Sequence, residues 1–318
     1  MKWILAVGMA LSAAPAMACD VCGIFLGVQP HDRTSSVSLL WRARLMEGTL
    51  TFAKPASPNK HGGHGVDGVA LTGADHYREL YQVLELRADL WLADRFALLV
   101  SLPAVNNYRA VNGFVGTDIY GIGDPLLIGR YLVANTKCTD TLDRTVHRLL
   151  LGGGAKLPLG RNDLTYNNER VSEDLQPGTG TWDLLASAEY MVRAGRNGAA
   201  VTVVGRYNTA NNAGYRLGHG LSSTVELFRR WDLRDGTIKL MPSLGVYHEL
   251  AGRDAELDLV QNGTGSSTLF AHAGARLWWR KWMLSLTYQQ AAAWQLGDLM
   301  VPNRMRIVTG LAYNFIKN

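Results

Sequence analysis

Long stretches of the chain alternate between polar and apolar side chains with a period of two. Residues 121–133 are an example: Asp124 and Arg130 fall at even positions, whereas the odd positions carry no charge. Successive side chains of a β-strand point to opposite faces, so this pattern predicts a strand with one charged face and one uncharged face. Such a strand suits the boundary between an apolar phase and water.

The same period recurs in about twelve stretches between Ser36 and Phe315, and none shows the 3.6-residue period of an amphipathic helix. Polar stretches such as residues 48–76 and 106–117 are predicted as loops. Long and short links alternate along the chain, as in outer-membrane barrels, which have long loops at one rim and short turns at the other. The predicted fold class is therefore all-β, a transmembrane antiparallel up-and-down β-barrel of about 12 strands.

Charged residues recur on the face opposite to the apolar one. In lipid every backbone N–H and C=O must be paired within the protein, so strands cross only as a closed barrel whose charges face the lumen. A secreted soluble β-sandwich also alternates, but it predicts apolar residues inside and loops of similar length at both ends. The charges either line a solute path or fill a narrow lumen. The predicted lumen-lining residues are Arg42, Arg44, Glu85, Arg87, Asp89, Asp124, Arg130, Arg148, Lys156, Asp183, Glu189, Arg206, Glu226, Arg230 and Arg276.

Aromatic residues lie near the ends of the predicted strands, where the girdles of membrane barrels meet the lipid headgroups. These predicted girdle residues are Trp41, Trp91, Tyr131, Trp182, Tyr207, Trp231, Trp279, Trp282 and Tyr313.

The composition narrows the set of partners. The 318-residue chain is 47% hydrophobic and 19% charged, with a net charge of +5. Its basic residues are scattered, so we expect no nucleic-acid partner. The expected partners are outer-membrane lipid, a small solute and the barrel-assembly machinery, and the sequence leaves the oligomeric state open.

The N-terminus has the features of a secretory signal peptide. Lys2 precedes an apolar stretch, and Ala16-Met17-Ala18 fits the cleavage rule. We expect export of a Gram-negative outer-membrane protein, with a signal peptide at 1–18, a periplasmic arm at 19–33 and the barrel at 34–318. Lipidation of Cys19 is an alternative reading of the same site. No later stretch has the ~18–20 apolar residues of a transmembrane helix.

Two small clusters contain residue types that bind metals. Cys19 and Cys22 could grip one soft ion, or they could close as a disulfide in an oxidising compartment. His61 and His64, with His76 nearby, could bind copper or zinc at the outer mouth of the barrel, or they could lie in a solvated glycine-rich loop. No other cofactor is expected.

Three glycine-rich blocks carry a resemblance to a known family. Gly121-Ile-Gly-Asp124, Leu151-Gly-Gly-Gly-Ala-Lys-Leu-Pro-Leu-Gly160 and Gln176-Pro-Gly-Thr-Gly-Thr-Trp-Asp183 occur in that order. They resemble the outer-membrane barrels grouped with the phenol meta-degradation pathway protein, over about residues 34–315. The resemblance implies an outer-membrane barrel that acts in transport, with no defined substrate and no catalytic residues. The CxxC start and the His-rich loop are not part of that pattern.

The chain carries no enzyme signature, and we predict that it is not an enzyme. The favoured function is a channel or transporter for a small solute, such as an aromatic or hydrophobic compound or a metal ion. One alternative is a non-conducting barrel that binds copper or zinc through the CxxC motif and the His-rich loop. Another is a purely structural outer-membrane barrel with a plugged lumen.

Overall fold

The computed structural model describes residues 33–52, 73–136 and 145–315. Every regular element within these ranges is a β-strand, and none of their residues forms a helix long and apolar enough to cross a membrane. In chain order the strands are β1 (Ser35–Phe52), β2 (Gly73–Ala93), β3 (Phe96–Val111), β4 (Phe114–Ile122), β5 (Leu126–Asn135), β6 (Val146–Lys156), β7 (Thr165–Tyr166), β8 (Glu169–Arg170), β9 (Asp183–Ala194), β10 (Asn197–Tyr207), β11 (Tyr215–Arg216), β12 (Gly220–Arg229), β13 (Trp231–Leu233), β14 (Ile238–Ala251), β15 (Ala255–Glu256), β16 (Leu259–Val260), β17 (Ser266–Trp279), β18 (Trp282–Leu296) and β19 (Asn303–Phe315).

Fourteen of these strands form one antiparallel sheet that closes on itself. The first strand, β1, pairs with β2 on one side and with β19 on the other, and the pairing of β12 with β14 completes the ring. Two positions in the ring are shared, because β4 and β5 both pair with β3, and β12 and β13 both pair with β14. The ring therefore has twelve positions, and the predicted 12-strand antiparallel barrel is confirmed.

The fourth position of the ring differs from the prediction. Residues 121–133 are not one strand, because the ladder is interrupted at residues 123–125 between β4 and β5. Pro125 has no N–H to donate to a ladder, and the Asp124 carboxylate is engaged with residues of a long loop. The prediction of a loop at residues 106–117 is also wrong. That stretch forms the end of β3, a turn at Asn112 and Gly113 with positive φ angles of 51° and 85°, and the start of β4.

The two rims of the barrel are unequal, as the spacing of the strands predicts. One rim carries short links at residues 94–95, 195–196, 234–237 and 280–281. The first and last wall strands also meet there, since Ser35 pairs with Phe315. The other rim carries longer loops at residues 157–182, 208–219 and 252–265, which contain the short strands β7, β8, β11, β15 and β16.

The outer surface of the wall is apolar. Leu39, Leu86 and Leu102 share one register on three neighbouring strands, and each side chain is about half exposed. Most of the predicted girdle aromatics are exposed on this surface as well. Tyr313 is half-buried. Trp91 is buried and has the same parity along β2 as Glu85, so the prediction that Trp91 belongs to a girdle is wrong.

Candidate functional site

The interior of the barrel holds the charged side chains of the wall. Alternation along each strand sends every second side chain inward, and the inward set contains the predicted lumen charges. Arg42, Arg206 and Arg230 are half-buried. The other twelve are buried, namely Arg44, Glu85, Arg87, Asp89, Asp124, Arg130, Arg148, Lys156, Asp183, Glu189, Glu226 and Arg276.

Glu85 is the centre of one ion-pair cluster on β1, β2 and β3. Its carboxylate accepts hydrogen bonds from Arg87 at 2.7 Å and from the Ser101 hydroxyl at 2.6 Å. The Arg42 guanidinium lies 3.1 Å from its other oxygen. Together these three contacts provide partners for both oxygens of the Glu85 carboxylate, which is only 1% exposed.

Arg130 connects three separate strands. Its guanidinium donates to Asp89 on β2, and it donates to Glu189 on β9 at 3.1 Å. Gly152 on β6 makes room for it, because a Cβ there would lie 3.0 Å from the Arg130 side chain and 2.4 Å from the Ser187 hydroxyl. A charge-assisted pair of this kind orients the partners as well as neutralising them.

Lys156 is completely buried at the end of β6. Its ammonium lies 3.0 Å from Asp124 and 2.6 Å from Asp183. It also donates to the Thr179 hydroxyl, and to that of Thr181 at 3.3 Å. Two carboxylates and two hydroxyls therefore surround one cation at the point where the fourth position of the ring is interrupted.

The opposite wall carries a further pair. Arg276 on β17 donates to both oxygens of Glu226 on β12, at 3.0 Å and 3.3 Å. His272 lies on the same side, with its Nε2 atom 3.6 Å from Glu226. Near the short-turn rim, Arg230 lies 3.3 Å from Asp232. Charges of both signs are thus paired around the circumference.

Several interior charges are not among the lumen residues predicted from the sequence. Glu79 and Arg109 lie in stretches outside the predicted strands, although Glu79 has the same parity along β2 as Glu85, a signal that a longer predicted strand would have included. Asp174 lies in a long loop without any period. The missed residues with interior ion pairs are Glu79, Arg109, Asp174, Glu249 and Arg306.

The interior is not uniformly polar. Apolar side chains of the same inward parity form buried clusters between the charged groups. One cluster consists of Leu99, Leu126, Ile128, Leu185 and Val204. Two clusters lie towards the short-turn rim. The first consists of Met191, Ala200, Phe228, Met241 and Trp278, and the second of Trp91, Ala97, Leu132 and Leu150.

Residues 171–181 lie within the mouth at the long-loop rim. Asn107 on β3 donates from its amide to the Leu175 carbonyl at 2.7 Å, and Leu175 packs in a cluster with Tyr81 and Ile119. These partners all have inward parity on their strands. The inward position of a loop segment follows from long-range contacts, and the sequence carried no sign of it.

Four of the predicted metal-binding residues, Cys19, Cys22, His61 and His64, lie outside the described residues. His76 lies on β2, where its Nε2 atom is 3.1 Å from a Glu47 carboxylate oxygen. Within residues 33–52, 73–136 and 145–315, no group of three or more His, Cys, Asp or Glu could hold a metal ion.

Comparison with known proteins gives a likeness of fold. No family model and no curated protein matches the chain, so the resemblance to the phenol meta-degradation barrels stays a prediction. An outer membrane channel from Pseudomonas putida F1 has a TM-score of 0.58 and 14% identity, with 91% of this chain and 100% of that chain covered. The β domain of the Bordetella autotransporter BrkA has a TM-score of 0.46 and 15% identity, covering 89% and 100%. The translocator domain of the autotransporter NalP from Neisseria meningitidis has a TM-score of 0.39 and 13% identity, covering 90% of each chain. The likeness to the Pseudomonas putida channel shows that this chain has the fold of an outer-membrane β-barrel.

Proposed function

We propose that this chain is an outer-membrane channel that passes a small solute. The observation that carries the proposal is the inversion of the wall, which exposes leucine on the outside and buries paired charges inside. An ordinary soluble barrel would do the opposite, because exposed apolar patches of this extent aggregate in water. The known channel with this fold, from Pseudomonas putida, supports the same reading.

The interior chemistry suits a neutral or weakly charged solute. Cations and anions of the wall neutralise one another at Glu85, Arg130 and Glu226, so the interior carries no field of one sign. A ring of like charges would favour ions of the opposite sign. The paired arrangement favours modest ion selectivity, and passage is then limited mainly by size.

Location and assembly form part of the same proposal. We propose that residues 1–18 direct export and are removed, that residues 19–33 lie in the periplasm, and that the barrel-assembly machinery inserts the remainder into the outer membrane. The apolar outer surface between two rims of aromatic side chains supports a lipid surrounding. No catalytic role is proposed.

The test is permeation through purified protein in defined lipid. Folded protein is identified by heat-modifiable migration on a gel and by its presence in the membrane fraction. It is then reconstituted for conductance in planar bilayers and for liposome swelling with neutral sugars and a phenolic compound. Heat-denatured protein and empty liposomes are the controls. We expect discrete conductance steps and size-dependent swelling. Absence of both ion and solute passage in folded, inserted protein would reject the channel.

A further inference from the structure

Residues 171–181 connect wall strands but do not behave like an ordinary surface loop. Connecting segments normally run over the surface, where water satisfies their backbone groups. Here nine of the eleven residues are buried. Buried polar backbone needs partners inside the protein, so specific contacts must hold this segment in the mouth.

The C-terminal end of the segment, at Thr179 and Thr181, is held by Lys156 and the two aspartates around it. Asp124 accepts the Thr179 backbone N–H at 2.8 Å and the Thr179 hydroxyl at 2.9 Å. The Thr181 hydroxyl donates to Asp183 at 2.8 Å. Lys156 lies between these groups and neutralises both carboxylates, so one buried cation joins the segment to β6 and β9.

The N-terminal end of the segment, at Ser172 and Asp174, is held by β2 and β3. Arg109 donates to Asp174 at 2.9 Å and to the Ser172 hydroxyl at 3.3 Å, and it also donates to Glu79 at 2.7 Å. Because Glu79 lies on the wall and Asp174 on the segment, this guanidinium bridges the two.

The segment is also braced internally. The Gln176 side chain accepts the Leu164 N–H at 3.0 Å and donates to the Leu164 and Val171 carbonyls at 2.9 Å. It is completely buried. These bonds close the loop on itself, so the segment can act as one unit when its anchors hold or release it.

We propose that residues 171–181 form the constriction that sets the largest solute the channel passes, and that Lys156 is the positioning residue that holds this constriction in place. The inference rests on the proposed channel function. Barrels of about eight strands are filled by their own side chains, and those of about sixteen leave a channel. At twelve strands the free cross-section depends on what else lies in the mouth, and among the described residues a segment held by the contacts above lies there.

The test combines loss of the anchor with an artificial one. In Lys156→Met the cation is removed, and Thr179→Val removes only a hydroxyl, in case the first variant fails to fold. A Cβ on Gly121 would lie 3.4 Å from the Pro177 Cβ, close to the ~3.5–4.5 Å separation in disulfides. The pair Gly121→Cys and Pro177→Cys should therefore tether the segment to β4 when oxidised. Each single cysteine variant is the matched control, because the chain has three cysteines of its own.

Swelling rates are measured with neutral solutes of increasing size, for folded protein as judged by heat-modifiable migration. We expect Lys156→Met and Thr179→Val to raise the permeation of the largest solutes relative to the smallest by several-fold. Adding the oxidised cysteine pair to Lys156→Met should restore the wild-type size limit, and reductant should abolish that rescue. A purely structural lysine would not be rescued by a tether on another strand.

The outcomes separate the two proposals. If folded variants and wild type share one size dependence, or if oxidation leaves the triple variant unchanged, the constriction is wrong while the channel stands. If wild type and every folded variant pass neither ions nor solutes, the channel itself is wrong.

Discussion

Arg130 shows how single residues organise the interior of the barrel. It is 3% exposed, and its two carboxylate partners lie on strands at different positions of the ring. Taking charges out of water is costly, and the mutual attraction repays this only while every partner is present. The structure should therefore be far more sensitive to the loss of one member than to the replacement of the whole group.

We predict that Arg130→Met lowers the free energy of unfolding by about 3–5 kcal/mol, because it removes the guanidinium that bridges the buried Asp89 and Glu189 carboxylates. Unfolding by urea in lipid vesicles measures the effect. The control is Arg161→Met, which breaks an exposed 3.7 Å pair with Asp163 and should change the free energy by less than about 1 kcal/mol. Adding Asp89→Asn and Glu189→Gln to Arg130→Met should recover much of the loss. Equal effects at both arginines would contradict the buried network.

His219, in the loop before β12, is a titratable group at the long-loop rim whose surroundings predict a dependence on pH. Partial burial lowers the pKa of the exposed His219 from its usual value, and the guanidinium groups of Arg216 and Arg206 lower this pKa further. Its ring stacks on Tyr207 at 4.3 Å, and its Nδ1 atom accepts the Asn208 N–H at 3.1 Å, which requires an unprotonated nitrogen.

Above the ordinary histidine pKa of about 6.5 the ring is neutral in both the ordered and the unfolded loop, so it adds no pH dependence. As the pH falls below that value, the unfolded loop takes up the proton first and the ordered loop loses stability. We predict that the protection of the Asn208 amide against hydrogen exchange, corrected for intrinsic exchange, decreases as the pH is lowered from 8 to 5. His219→Gln should remove this dependence, whereas His147→Gln on β6 should not. A pH-independent wild type would show that the ring does not titrate there.

The elements of the fold were predictable to different degrees, for physical reasons. Alternation and the spacing of the links predicted the ring, because lipid outside and polar groups inside impose a period of two on every strand. The ends of β3 and β4 were missed, since backbone pairing continues beyond the apolar belt, where nothing enforces alternation. The inward position of residues 171–181 was missed because its contacts join residues far apart, such as Asp124 and Thr179, 55 positions apart.

At the level of these elements, we predict that Arg109→Gln loosens residues 171–181 without opening the wall. The change removes the charge that bridges Glu79 and Asp174, so amide exchange should speed up at Val171 and Leu175, whose N–H groups bond within this end of the loop. Exchange in β9 should stay slow. Hydrogen exchange with peptide resolution measures both regions, and Arg95→Gln, an exposed residue of the short link at 94–95, is the matched surface control. Faster exchange across β9 as well would mean that the segment and the wall open as one unit.

At the level of the whole molecule, the closed ring solves two problems together. It pairs the backbone of every wall strand, including the first with the last, so no edge strand is left in the ring. It also separates an apolar outer surface from a charged inner surface. The alternation of polar and apolar residues along the sequence predicts this separation. The fold therefore depends on the medium at each surface. An exposed leucine that faces lipid contributes to stability, whereas one that faces water can be replaced at little cost.

Leu86 and Leu259 distinguish these environments, since both are exposed leucines, 49% and 72%, but one lies on the wall and the other in a long loop. We predict that Leu86→Arg lowers the free energy of unfolding by about 2–4 kcal/mol in vesicles, the cost of an arginine near the bilayer midplane. Leu259→Arg should change it by less than about 0.5 kcal/mol, as expected for a surface substitution. Urea titrations of wild type and both variants in lipid vesicles measure the free energies of unfolding. Similar small effects for both variants would contradict a lipid-facing wall, because an arginine in water at either position has the same surroundings.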